Sequence, residues 1–180
     1  MKYKNIREIE ELKIRVAKDI FGNYDCSNII KDIDFSVRIS FYDKAITPKY
    51  KKWLLEDSYF LWAEAKIEIE DIVAMLTQLM FTIVKARPFD KIMPPLFLGC
   101  FDCEKIAFVP YSEIQDIYFS NKDINWDVAP PHRETREFLY KKILKETSWN
   151  SYIFDFEKDD KELRKFLLEI FVEMCEGIII

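Results

Sequence analysis

Between residues 60 and 85 the hydrophobic pattern of the chain changes its period in one step. Residues 60–69 alternate, with Leu61, Ala63, Ala65, Ile67 and Ile69 on one face and Trp62, Glu64, Lys66 and Glu68 on the other. That two-residue period belongs to a strand. Asp71 to Lys85, "DIVAMLTQLMFTIVK", is then apolar on nearly all sides. Such a helix must be covered by other elements rather than lie on a surface, and it is too short to cross a bilayer comfortably. A strand that feeds a covered helix restricts the chain to layered folds in which helices and a sheet share a core.

A second alternating segment runs from Ile33 to Phe41, where Ile33, Phe35, Val37, Ile39 and Phe41 are separated by Asp34, Ser36, Arg38 and Ser40. It reads as a half-buried strand. Ahead of it, Ile6, Ile9, Leu12, Val16 and Ile20 recur at spacings of three and four, with Glu8, Glu10 and Glu11 near the start and Lys18 near the end. This predicts an amphipathic helix over 5–21, with charges that suit its dipole and Gly22-Asn23 to stop it. "DKAITPKYKKWLLEDS" reads as a connection, as does "RPFDKIMPPLFLG" with its three prolines. "KIAFVP" (105–110) reads as extended, "YSEIQDIYF" as a short helix, and 134–147 and 158–176 as two more. The last of these has Leu163, Phe166, Leu167, Ile170, Phe171 and Met174 on its buried side. The order predicts an α/β (α+β) fold, one domain over 1–180 with its core at about 5–120 and a C-terminal helical part at about 130–180.

Composition narrows the function classes. With 49% hydrophobic residues and only 3 glycines, every stretch favours a packed state over disorder. The net charge of -5 argues against a wholly basic nucleic-acid footprint, so any such contact is local. Met1 to Arg15 is charged and helix-like, without the long apolar stretch of a secretory signal, and a cytoplasmic location is expected. Cys100-x-x-Cys103 is half of a zinc motif in a chain with one histidine, and reads as two small core residues. That histidine, His132, follows two prolines at a helix start and does not read as catalytic.

Glu64-Ala65-Lys66 is the pattern with chemical content. A cation-dependent nuclease needs hard oxygen ligands, a way to make hydroxide from water, and a positive group near the scissile phosphate. Glu64 and Lys66 share a strand face, and Asp34 opens the other clear strand. If the two strands pair, all three converge at one end of the sheet. A solvated Glu-Lys pair is the plain alternative, but the flanking Leu61, Trp62 and Ile67 place the triplet inside the domain, where charges seldom sit without a partner.

"DFSVRISF", "FLWAEAK", "MLTQLMFTIVKAR", "FLGCFDCEKIAFVPY" and "INWDVAPPHRETREF" together resemble the amino-terminal endonuclease region of type IIG-like restriction-modification proteins, over about residues 30–140. That region is similar to the PD-(D/E)xK nuclease superfamily. The resemblance implies a restriction-endonuclease-like central mixed sheet flanked by helices, with extra C-terminal helices, and hydrolysis of DNA with Mg2+ or Mn2+. It implies Asp34 and Glu64 as metal ligands, with Ile33 where a proline often stands, and Lys66 as the group that positions or activates water. Gln78 would face the site from the following helix, unless it is a core amide satisfied by its neighbours. Glu8 or Glu11 would be the acid of the first helix, although a solvated helix face is the favoured reading of both. The superfamily core has three strands before its helix, whereas two are clear here, so Asp43 or Asp57 are alternatives to Asp34.

Lys44, Lys49, Lys51, Lys52, Lys85 and Arg87, with Lys91, are the expected phosphate contacts on double-stranded DNA. No Asn-Pro-Pro-Tyr motif or glycine-rich cofactor loop is present, so a methyltransferase and a target-recognition part are expected on a partner or on fused domains. Two copies meeting as a homodimer would cut both strands; no membrane role is expected. A reading from another class is a small acidic binding protein, such as a bacterial immunity protein that masks a basic toxin, which the charge and exposed tryptophans would suit. A broad acidic surface would favour masking; an acidic pocket beside Lys66 would favour cleavage.

Overall fold

The strand and the covered helix form as the patterning requires. The computed structural model describes residues 2–22, 24–28, 30, 32–38, 59–86, 93–120 and 133–175. The described elements are α1 (Ile9–Asp19), β1 (Phe35–Arg38), β2 (Tyr59–Ala65), α2 (Ile72–Ala86), β3 (Phe97–Phe101), β4 (Lys105–Pro110), α3 (Tyr111–Ser120), α4 (Arg133–Glu146), β5 (Tyr152–Asp155) and α5 (Asp160–Cys175). The five strands form one mixed sheet in the order β1-β2-β3-β4-β5. β2 and β3 run parallel and the other neighbours antiparallel. Parallel neighbours cannot be joined by a tight turn, and α2 makes the crossover.

Two apolar clusters flank the sheet. On one side Leu12 and Val16 of α1 and Leu163 and Leu167 of α5 pack with Leu61, Ala63, Ala65 and Phe101. On the other, Leu76, Met80 and Ile83 of α2, Ile114 and Ile117 of α3, and Leu139 and Ile143 of α4 pack with Trp62, Leu98, Ala107 and Val109. The α+β class and the mixed sheet between helices are thus as the sequence predicts. Every residue of β2 is buried, which a strand with helices on both faces requires. No helix among the described residues is long and apolar enough to cross a membrane.

Several expectations are corrected. α1 starts at Ile9 rather than residue 5, and β1 starts at Phe35 rather than Ile33. β2 ends at Ala65, so Ile67 and Ile69 do not continue its buried face; Ile69 is 52% exposed. The chain leaves the sheet there because Asp71 starts α2, its Oδ1 accepting from the Ala74 amide at 2.7 Å. Phe97-Leu98-Gly99, read as loop, belongs to the central strand β3. The C-terminal part is not only helical, since β5 closes the sheet against β4. Trp62 is fully buried, so it adds nothing to an exposed aromatic surface.

The turn between β3 and β4 is held by Asp102, which is 0% exposed. Its Oδ1 accepts from the amides of Glu104 (2.8 Å) and Lys105 (2.9 Å), and its Oδ2 from the amide of Glu70 (3.3 Å). The carboxylate thereby ties this hairpin to the segment between β2 and α2. Cys100 is buried in β3 and Cys103 lies in the same turn, both as free thiols.

Gly99 lies in β3, paired with Ala63 of β2 on one side and Phe108 of β4 on the other. A Cβ added there would lie 2.6 Å from the Ala107 carbonyl oxygen and 2.8 Å from Leu61 Cδ1. The carbonyl belongs to the ladder and cannot move away cheaply. Gly99→Ala is expected to destabilise the fold by about 2–3 kcal/mol, as overpacking does, measured by urea denaturation. An unchanged midpoint would show that the β3–β4 spacing relaxes at little cost.

Candidate functional site

The end of β2 is built by two pairings. On one side, Phe35 pairs with Ala63 in antiparallel register, and one further step sets Asp34 beside Glu64. Asp34 Oδ2 accepts from the Ala65 amide at 3.2 Å, which fixes the carboxylate against the strand end. On the other side, the Lys66 amide donates to the Phe101 carbonyl at 3.0 Å and carries the β2–β3 pairing one residue past the strand. Asp34, Glu64 and Lys66 therefore meet where β2 and β3 finish and the chain turns into α2. The carboxyl ends of parallel strands are a recurrent location for sites in α/β sheets.

The approach to Asp34 is a tight turn. The Ile33 amide donates to the Ile30 carbonyl at 3.0 Å, and Asp32 adopts φ 64, a left-handed conformation that a short polar side chain tolerates better than most. Ile33 is buried and anchors the turn. A proline at that position, which the family resemblance would favour, could not make this bond.

The electrostatics follow from burial. Glu64 is only 5% exposed, and Lys66 Nζ donates to its Oε1 at 2.7 Å. Burial pushes the Glu64 carboxyl up; the Lys66 hydrogen bond opposes this, the Asp34 charge reinforces it, and the charges of Lys66 and Lys13 oppose it again. The balance remains upward. Burial alone would depress Lys66, but the hydrogen bond to Glu64 and the charges of Glu64, Asp34 and Glu70 outweigh it and hold the amine above its ordinary value. Lys66 is therefore an ammonium at neutral pH. Lys13 of α1, its side chain 17% exposed, stands 3.9 Å from Asp34 Oδ1 and donates to Glu10 Oε1 at 2.9 Å.

Glu8 and Glu11 lie on a solvated face of α1, the reading favoured for both. Glu8 lies exposed at the N-cap of α1 without a side-chain capping bond. Glu11 is exposed and accepts from Arg15 at 3.1 and 2.9 Å. Instead of an acid, α1 brings Lys13 to the site. Its only hint in the sequence is its place beside Leu12 on the edge of the apolar stripe. Gln78 is half-buried on α2 and accepts at Oε1 from Arg136 at 2.9 Å. It lines an open groove of ≈ 360 Å³ with Lys66, so it shares the neighbourhood of the site but is held by α4. Lys85 is exposed in the last turn of α2. Lys44, Lys49, Lys51, Lys52, Arg87, Lys91, Asp43, Asp57 and His132 lie outside the described residues.

The donor set decides which ion the site suits. No group of three or more His, Cys, Asp or Glu side chains gathers among the described residues. Asp34 and Glu64 offer two carboxylates, all hard oxygen donors. Mg2+ is commonly held by one or two carboxylates, with water and substrate phosphate completing its shell. The pair fits that ion, and a site without nitrogen or sulfur ligands does not suit structural zinc. Compared with family models, curated proteins and solved structures, the chain matches none.

A carboxyl raised in the folded state carries stability that is fully present below its unfolded pKa and is lost as pH rises through the folded value. Glu64 therefore weakens the fold from the ordinary carboxylate range upward. In cation-free buffer, Glu64→Gln is expected to melt at or above the wild-type temperature at neutral pH, the difference shrinking on acidification. A variant that melts lower at neutral pH would show that the Lys66 ion pair outweighs the burial of the charge.

Proposed function

We propose that this chain is a metal-dependent DNA endonuclease domain of the PD-(D/E)xK type, cutting phosphodiester bonds as part of a restriction system. The observation that carries the reading is Glu64, a carboxylate buried at a strand end beside Asp34 and within 2.7 Å of Lys66. The Lys66 side chain is 42% exposed but Glu64 is not, and a core position without a function would favour an apolar residue. Strained or costly placements of this sort concentrate at functional sites. Asp34 stands before β1 and Glu-x-Lys at the end of β2, as the resemblance would have them, although two described strands rather than three precede α2.

Asp34 and Glu64 would hold the ion. Bound there, Mg2+ or Mn2+ would polarise a phosphate oxygen and acidify a water molecule. The remaining tasks belong to side chains. Lys66, protonated at Nζ, positions a water by hydrogen bonding and offsets negative charge that builds on the phosphate. Its raised pKa makes it a donor and a counter-charge rather than the base that takes the proton. Lys13 holds Asp34 from the α1 side and adds a second positive charge. The Ala65 amide keeps the Asp34 carboxylate oriented.

The surface charges favour cleavage over masking. Glu11, Glu137, Glu146, Asp160 and Glu169 each pair with a base four residues away on the same helix, so these acids are interleaved with cations rather than gathered into a patch. A methyltransferase and a target-recognition part, on partners or fused domains, would bring the domain to duplex DNA and supply affinity through effective concentration. Cutting both strands would need two copies.

Plasmid cleavage with Mg2+ or Mn2+ tests the reading, with partner domains restored where the chain alone is silent. Glu64→Ala and Lys66→Ala are each expected to lower the rate by about 100-fold or more, as loss of a positioned charged group does. Equal cutting by wild type and both variants would remove these residues from the chemistry.

A further inference from the structure

α4 lies outside the strand, strand, helix, strand unit that carries Asp34, Glu64 and Lys66, yet it closes one wall of the groove that begins at Lys66. Arg136 and Lys141 project into that groove from α4, and Gln78 from α2. A guanidinium only donates, so the Gln78 oxygen must be the atom that meets Arg136, and the Gln78 NH2 group is left to donate elsewhere. Because its partner is a neutral amide, Arg136 keeps its full positive charge. Among the described residues, neither Arg136 nor Lys141 forms an ion pair with a carboxylate, although most other helix bases do. Of the two acids in the groove, Glu137 is held by Arg133 at 2.8 Å and also feels the Lys141 charge, and Glu70 acts on Lys66 at the other end. The Tyr140 hydroxyl is directed at Asp71, 3.4 Å away.

The groove therefore presents donors and positive charge from both walls, Lys66 and the Gln78 amide on the β2–α2 side and Arg136 and Lys141 from α4, beside the two acids Glu70 and Glu137. An acceptor-only polyanion is the matching ligand, and non-bridging phosphate oxygens accept without donating. We infer that the α2–α4 groove is a backbone-binding track for duplex DNA, in which Arg136 and Lys141 contact phosphates flanking the one presented to Glu64 and Lys66. The inference rests on the endonuclease reading for its choice of polyanion. It assigns α4 a share in substrate binding, and it makes Arg136 a positioning residue for Gln78 as well.

The test uses the full chain carrying Glu64→Gln, so that binding is read without cutting. Fluorescence anisotropy with a labelled duplex of mixed sequence is measured across a salt series, alone and with Arg136→Ala, Lys141→Ala or Arg136→Lys. Each alanine is expected to weaken binding severalfold whatever the DNA sequence, and to reduce the slope of log K against log salt by about 0.9. Arg136→Lys should recover most of that slope. Exposed positions of this kind should leave the melting temperature nearly unchanged. Unaltered affinity and slope in the alanine variants, or no duplex binding at low salt, would overturn the track. If binding depends on Arg136 and Lys141 but wild type never cuts, the track stands and the endonuclease reading falls. If cutting depends on Glu64 and Lys66 but ignores both α4 residues, the track falls alone.

Discussion

A strand buried at every position can exist only if something covers both of its faces, and β2 is such a strand. The two apolar clusters meet that demand, α1 and α5 on one side and α2, α3 and α4 on the other. The site depends on the same constraint. Glu64 is desolvated because β2 is sandwiched, and it is reachable only because β2 ends one residue later, where β3 also ends. Move the end of the strand by a residue and the carboxylate is either wholly enclosed or merely exposed.

The charges at that strand end oppose the fold that places them. Burial and the Asp34 charge both disfavour an ionised Glu64, while Lys66 and Lys13 act against them. Two carboxylates and two ammonium groups are held in one corner of the protein by packing that none of them improves. A divalent cation, as the proposed function requires, would relieve the repulsion between the carboxylates. Buried ion pairs are seldom a good route to stability alone.

The amount of this that was legible in the sequence depended on alternation of residue type. β1 and β2 announced themselves by alternating polar or small residues with larger apolar ones, and α2 by an apolar surface wider than a stripe. β3 did not, because Phe97-Leu98-Gly99-Cys100-Phe101 is a short run without alternation, and Pro94-Pro95 just before it read as loop. β5 is four half-buried residues at a sheet edge, too short for any period to show. Asp34 and Glu64 could be placed together because strand pairing converts a sequence pattern into a spatial one. Lys13 with Asp34, and Arg136 with Gln78, could not, since helix packing leaves no comparable register in the sequence.

The buried carboxylate of Asp102 joins the β3–β4 hairpin to the segment that follows Lys66, through amides on both sides. Its consequence is one of timing. Ordering a backbone segment has an entropic cost of about 1–2 kcal/mol for each residue fixed. Here that cost is met as the protein folds, so the segment that follows Lys66 is already ordered in the folded chain.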